Sequence, residues 1–159
     1  MGIGYQILGP GDASVLHRAP PALFDFPIDL EQAVAFLEDP RHEIIVAIDA
    51  ETDRPVAFVS ANGYLHPDKP PQAWINELST LEAYRGRGIG AELVRRMLDL
   101  LAERGYGQVW LATEHDNAAA RAVYRKVMQE RGGSEDAAVV VYEFPPQGAD
   151  SPESTGDVG

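Results

Sequence analysis

The chain of 159 residues has the size of one ordinary domain, and its 45% hydrophobic content is enough for a single packed core. The absence of cysteine excludes disulfide frameworks, thiolate metal sites and cysteine nucleophiles together, and His17, His42, His66 and His115 lack metal-ligand spacing, so no metal is expected. A net charge of −12 argues against a nucleic-acid partner; no apolar run reaches the roughly 18 residues of a membrane span and no leader pattern opens the chain, so a cytoplasmic protein with no membrane partner is expected.

In chain order the pattern is one of alternating strands and helices. Residues 3–8 predict a first strand, and 12–16 and 29–37 predict two short helices around the loop Ala19-Pro20-Pro21. The apolar runs 43–48 and 56–65, joined by the polar turn 49–55, signal a hairpin. Residues 67–71 force a loop, and 74–81 read as the next strand. After a glycine-rich turn, Ile89, Leu93, Val94, Met97, Leu98 and Leu101 fall on one helical face, with Gly105 placed to end the helix. Residues 108–113 predict a strand, Asp116 or Asn117 caps a helix running to about Val127, and 137–144 predict a last strand. Residues 145–159 are Pro, Gly, Ser and acids with almost nothing to bury, so a single domain over 1–144 and a disordered tail are expected. Trp74 and Trp110, both in strands, are expected in the core.

The turn Arg85-Gly86-Arg87-Gly88-Ile89-Gly90 carries the clearest chemistry. Glycines between a strand and a helix let backbone N–H groups approach a ligand, and the helix adds its positive end, which together make a pyrophosphate cradle. Arg85 and Arg87 supply mobile charge for phosphates. The same letters satisfy G-x-G-x-x-A through Gly86, Gly88 and Ala91, the dinucleotide fingerprint. That fingerprint normally sits in a first strand-helix unit with several parallel strands behind it, whereas here it lies past mid-chain.

The run 75–90 resembles the acetyl-CoA motif of the GNAT superfamily, whose pattern of Arg or Gln, two residues, Gly, one residue, then Gly or Ala is met by Arg85, Gly88 and Gly90. The family's second signature, an Asn opening a helix with a Tyr seven residues on, is met by Asn117 and Tyr124. The resemblance implies an α/β (α+β) fold with a mixed sheet of about six to seven strands and about four helices, its fourth strand bulged and leading into the acetyl-CoA pyrophosphate loop. It further implies that acetyl-CoA contacts backbone of Leu78, Ser79 and Thr80, the loop from Arg85 through Ile89 and Gly90 to Ala91, Asn117 and Tyr124. Tyr124 would protonate the departing thiolate and Glu77 would take the proton of the amine, with no covalent enzyme intermediate. From spacing alone, Tyr124 reads as a core aromatic beside Ala120, Val123 and Val127, and Glu77 as an ordinary strand residue.

A narrower resemblance is to the type I aminoglycoside 3-N-acetyltransferases, carried by Leu23-Phe24-Asp25, by Tyr64-Leu65-His66-Pro67-Asp68-Lys69, by Glu77 before the bulge and by Tyr142-Glu143-Phe144. It implies a cationic small-molecule amine as partner, with Asp25, His66 and Glu77 on the acceptor side, and it allows a homodimer. The acidic balance suits such an acceptor and equally suits a solubility role. Two other classes compete. A protein or peptide N-acetyltransferase calls for an extended groove, and a non-catalytic acyl-CoA sensor needs neither Glu77 nor Tyr124, both of which the chain keeps.

Overall fold

In the computed structural model, which describes residues 2–146, the chain forms one sheet in the order β1-β2-β3-β4-β5. The strands are β1 (Ile3–Leu8), β2 (His42–Asp49), β3 (Arg54–Tyr64), β4 (Gln72–Thr80) and β5 (Gln108–Leu111). The helices are α1 (Ala13–His17), α2 (Leu30–Glu38), α3 (Ile89–Glu103) and α4 (Ala118–Arg131). β1 to β4 run as an antiparallel meander, and β5 lies parallel to β4 because α3 carries the chain back between them.

Alternation along the strands builds two faces. Ile45, Ala47, Val59, Ala61, Ala73 and Ile75 point to one face and are covered by Leu93, Met97 and Leu101 of α3. Ile44, Val46 and Phe58 point to the other and meet Leu16, Leu23 and Leu37 of the α1–α2 region. This second layer draws its sheet residues from β1, β2 and β3. On β4 and β5 the corresponding positions are exposed or half-buried, which leaves a stretch of open sheet beside the α1–α2 loop. That loop is held down by Phe24, whose ring stacks on Phe58 with centroids 4.1 Å apart.

Several expectations are corrected. The described residues hold five strands, not six to seven. Residues 137–144 form no strand: after α4, Gly132 and Gly133 at φ 81° and 131° turn the chain, and Glu135 pairs with Arg121 and Arg125 on the outside of α4. The apolar run is strand-like in composition, yet no neighbouring strand gives it a ladder. β5 stops at Leu111, before the expected 113. α4 runs past Val127 to Arg131, because Glu130 pairs with Arg95 and Arg131 with Asp99 on α3. Its cap is Asn117, whose side chain accepts from Ala120 N, and not Asp116. The expected disordered tail lies, from residue 147 onward, outside the described residues.

Phe58 is fully buried and anchors the α1–α2 loop. Phe58→Ala is expected to cost roughly 3–5 kcal/mol of unfolding free energy, read from urea denaturation. A cost below about 1 kcal/mol would show that the loop does not depend on the stacked pair.

Candidate functional site

The site begins with one extra residue. Ser60 of β3 lies opposite Glu77 of β4, and the next residue, Ala61, lies opposite Ile75, so Asn76 is bulged out of the ladder. Without it, Glu77 would share the parity of Ala73 and Ile75 and point into the α3 core. The bulge turns it onto the open face with Ser60. Glu77 therefore follows the bulge directly, where the motif match put it before. Beyond the bulge β4 also loses its other neighbour: β5 pairs only with Gln72 to Ile75, and from Asn76 to Thr80 β4 has a strand partner on the β3 side alone. On the β5 side the Thr80 carbonyl accepts from Arg85, and the backbone N–H groups there have no strand partner to use them.

Burial pushes the Glu77 carboxyl above its ordinary value, and the negative charge of Asp25 in the α1–α2 loop adds to the rise, while a hydrogen bond from Ser60 opposes it. As a whole the residue is exposed, so the partly shielded carboxyl remains within reach of solvent on the open face. Ser60 itself is buried. Sequence reasoning missed it; its only signal was a polar residue inside the apolar strand of 56–61.

The glycine loop adopts the conformation its composition demands. Gly86 and Gly88 lie at φ 73° and 79°, and a side chain on either would project into space with nothing within 4 Å. Gly88 is the N-cap of α3 in a left-handed conformation with no side-chain cap, so the first N–H groups of the helix are left without a partner inside it. The two arginines brace the loop: Arg85 Nε donates to the Thr80 carbonyl at 3.1 Å and Arg87 Nη2 to the Ala83 carbonyl at 3.0 Å. Tyr84 Oη donates to Asp49 at 2.5 Å, fastening the loop to the end of β2, a link the sequence did not suggest. Ile89 and Ala91 are buried, so only their backbone remains for a ligand, and Gly90 packs against Leu78 and Val123.

α4 crosses this end of the sheet. Tyr124 packs half-buried with Leu78, Val94 and Val127, and burial pushes its phenol up, which keeps it protonated at neutral pH. Asn117 sits in the cap of α4, its side-chain oxygen used on Ala120 N. His115 and Asp116 engage α4 through their backbone carbonyls. His66 lies at the other end of β4, 3.1 Å from Gln72 Oε1. Asp29 caps α2 and Asp39 binds Arg41, so of the acidic residues around α2 only Asp25 acts on Glu77.

Trp74 and Trp110 are not core residues. They are partners in the β4–β5 register and are 37% and 43% exposed on the open face. Alternation placed them opposite Ala73 and Ile75 but could not say that their face lacks a covering helix. A hollow of about 420 Å³ between β1 and α3 is remote from these groups and contains neither Glu77 nor Tyr124. Among the described residues no three acidic or histidine side chains converge as a metal site would, and no helix is long and apolar enough to cross a membrane.

The pattern of the acetyltransferase (GNAT) family matches residues 14–128, most of the chain. The chain belongs to this family. Among curated GNAT and related proteins it is 31% identical over 123 residues to an L-2,4-diaminobutyric acid acetyltransferase of Nocardia farcinica, covering 77% of this chain and 62% of that one. It is 33% identical over 95 residues to a streptothricin acetyltransferase of Streptomyces lavendulae, covering 57% and 46%. The chain thus spans about half the length of the curated relatives it matches. In fold it is similar to an aminoglycoside acetyltransferase from an uncultured soil metagenomic sample, solved in complex with sisomicin, with a TM-score of 0.75, 18% identity and coverage of 91% and 97%.

Two substitutions separate the causes acting on this GNAT carboxylate. In Asp25→Asn the Glu77 carboxyl should titrate lower, since loss of a like charge eases ionisation; in Ser60→Ala it should titrate higher, since the donor to the charged form is gone. Carbon-detected NMR of labelled Glu77 reads both shifts, and an unchanged titration in both variants would contradict this geometry.

Proposed function

We propose that the chain is an acetyl-CoA-dependent N-acetyltransferase that transfers the acetyl group directly to a primary amine of a cationic small molecule, with an aminoglycoside as the leading acceptor. The observation that carries this reading is the bulge at Asn76, which sets Glu77 on the open face at the point where β4 parts from β5. A thioester lying in that gap would find backbone donors at Leu78 to Thr80, and its pyrophosphate would lie over Gly86 and Gly88.

The amine must be neutral to attack. Glu77 binds the ammonium and takes its proton, and its raised pKa makes it a better acceptor than an ordinary carboxylate. The nitrogen attacks the thioester carbonyl, the C–S bond breaks, and Tyr124 gives its proton to the departing sulfur. A diamino acid acceptor is the second reading, favoured by the identity to a protein named for 2,4-diaminobutyric acid.

Acetyl-CoA and coenzyme A should raise the melting temperature while NAD and NADP should not, because only a ligand of the native state stabilises it. Gly88→Val should lose this response, since its φ of 79° and the space in front of it are both needed; a full response in that variant would refute the cradle. Tyr124→Phe should keep coenzyme A affinity and lose about two orders of magnitude in kcat, as expected for removal of a general acid. Turnover like wild type would make Tyr124 a packing residue. Thiol release with sisomicin, 2,4-diaminobutyrate and an N-terminal peptide as acceptors decides among the substrate classes.

A further inference from the structure

We infer that Trp74 and Trp110 form an aromatic platform that holds the ring body of the acceptor, so that the site selects a multi-ring amino sugar or aminocyclitol over linear diamines and peptide ends. The inference rests on the acetyl-transfer reading above and specifies its acceptor.

The two indoles are partners across a parallel ladder, with strands about 4.8 Å apart, so their rings leave the sheet side by side. Each indole leaves more than a third of its surface exposed, and the adjacent pair makes one apolar patch on the open face. The pair is also held in position. Gln72, next along the same face, accepts from Trp110 Nε1 at 3.3 Å and from Tyr64 Oη at 3.2 Å, lies 3.1 Å from His66 Nε2, and donates to Gln108 at 3.3 Å. With the Trp110 N–H already used, what that ring offers a ligand is its π surface.

Amide side chains line the platform, with Tyr64 and His66 behind Gln72. Asn76 Nδ2 donates to Asn62 Oδ1 at 2.7 Å, and with Gln72 and Gln108 these side chains present donors and acceptors together, the pairing that hydroxyl groups require. Toward one end of the face stand the carboxylates of Glu77 and Asp25, the second close enough to act on the first. The face therefore reads as one carboxylate end for an ammonium, then amides and aromatic surface for a hydroxylated ring whose C–H face stacks on indole. Trp74 lies opposite Asn62 and Glu77 opposite Ser60, so with the bulge between them they stand two β3 residues, about 7 Å, apart along the strand. An acceptor whose reacting amine is at Glu77 can lay a neighbouring ring over the platform, whereas a diamino acid or a linear polyamine has no ring face to stack there.

The chain has two tryptophans, and both are in the platform, so intrinsic fluorescence reports it without a label. In the presence of coenzyme A, sisomicin should change the emission saturably, whereas 2,4-diaminobutyrate and spermidine should not. Trp110→Leu and Trp74→Leu should each raise the sisomicin KM by about tenfold, with the acetyl-CoA KM and kcat within about twofold of wild type, and Trp110→Phe should recover part of the loss. Gln72→Ala, which frees the indole without removing it, should raise the same KM by a smaller factor. An equal response to the linear amines overturns the platform, as does an unchanged sisomicin KM in both leucine variants of an active enzyme. Emission that changes with protein concentration alone also overturns it, by assigning the face to a second copy. Saturable emission change with no acetyl transfer to any amine would instead overturn the transferase reading, leaving a ring-binding site.

Discussion

Everything about the site turns on a mismatch of one residue between two strands. β3 continues its alternation while β4 carries Asn76 out of register, and that slip exchanges the faces of every β4 residue that follows. A glutamate destined for the α3 core is delivered to the open face of the sheet, and Leu78 takes the core-facing position against α3 and α4. The same slip comes where β5 leaves β4, so unpaired backbone and a perturbed carboxylate arise at one point of the sheet. Chemistry and binding surface thus share a cause in backbone geometry.

The loop that follows is stiffened by ordinary hydrogen bonds. Arg85 and Arg87 close onto carbonyls of their own segment, Arg87 also lies 4.9 Å from the centre of the Tyr84 ring, and Tyr84 ties to Asp49 across the hairpin. The Tyr84 hydrogen bond, with the backbone N–H of Glu51 beside it, holds the Asp49 carboxyl below the usual carboxylate range. A loop ordered before its ligand arrives loses little conformational freedom on binding, which is the benefit of preorganisation.

The parts legible in the sequence were those governed by local pattern. α3 was readable from its apolar spacing, the hairpin from its polar turn, and the loop from glycines that the backbone does hold at positive φ. The bulge was implied by a motif match, yet its exact residue was not, since nothing in Asn76 marks it as the extra one. Trp74 and Trp110 were misread because alternation assigns a face without saying what covers it, and hydrophobic side chains default to the core. Residues 137–144 were misread for a related reason: strand preference measures fit to neighbours, and these residues have none in the described fold. Ser60 and the Tyr84–Asp49 link depend on contacts between distant segments, which spacing cannot encode.

The exposed run from Val139 to Phe144 has a consequence for how the molecule behaves in company. Val141, Tyr142 and Phe144 are each at least 75% exposed, in a β-branched and aromatic segment, and β5 is a free outer edge among the described strands. An unpaired edge and an unpaired sticky segment on every copy invite edge-to-edge association. A net charge of −12 opposes it, because copies repel before the edges can meet. That protection is colloidal: it weakens as added salt shortens the range of repulsion to a few ångströms, and the acidic surface then guards the fold least in concentrated electrolyte.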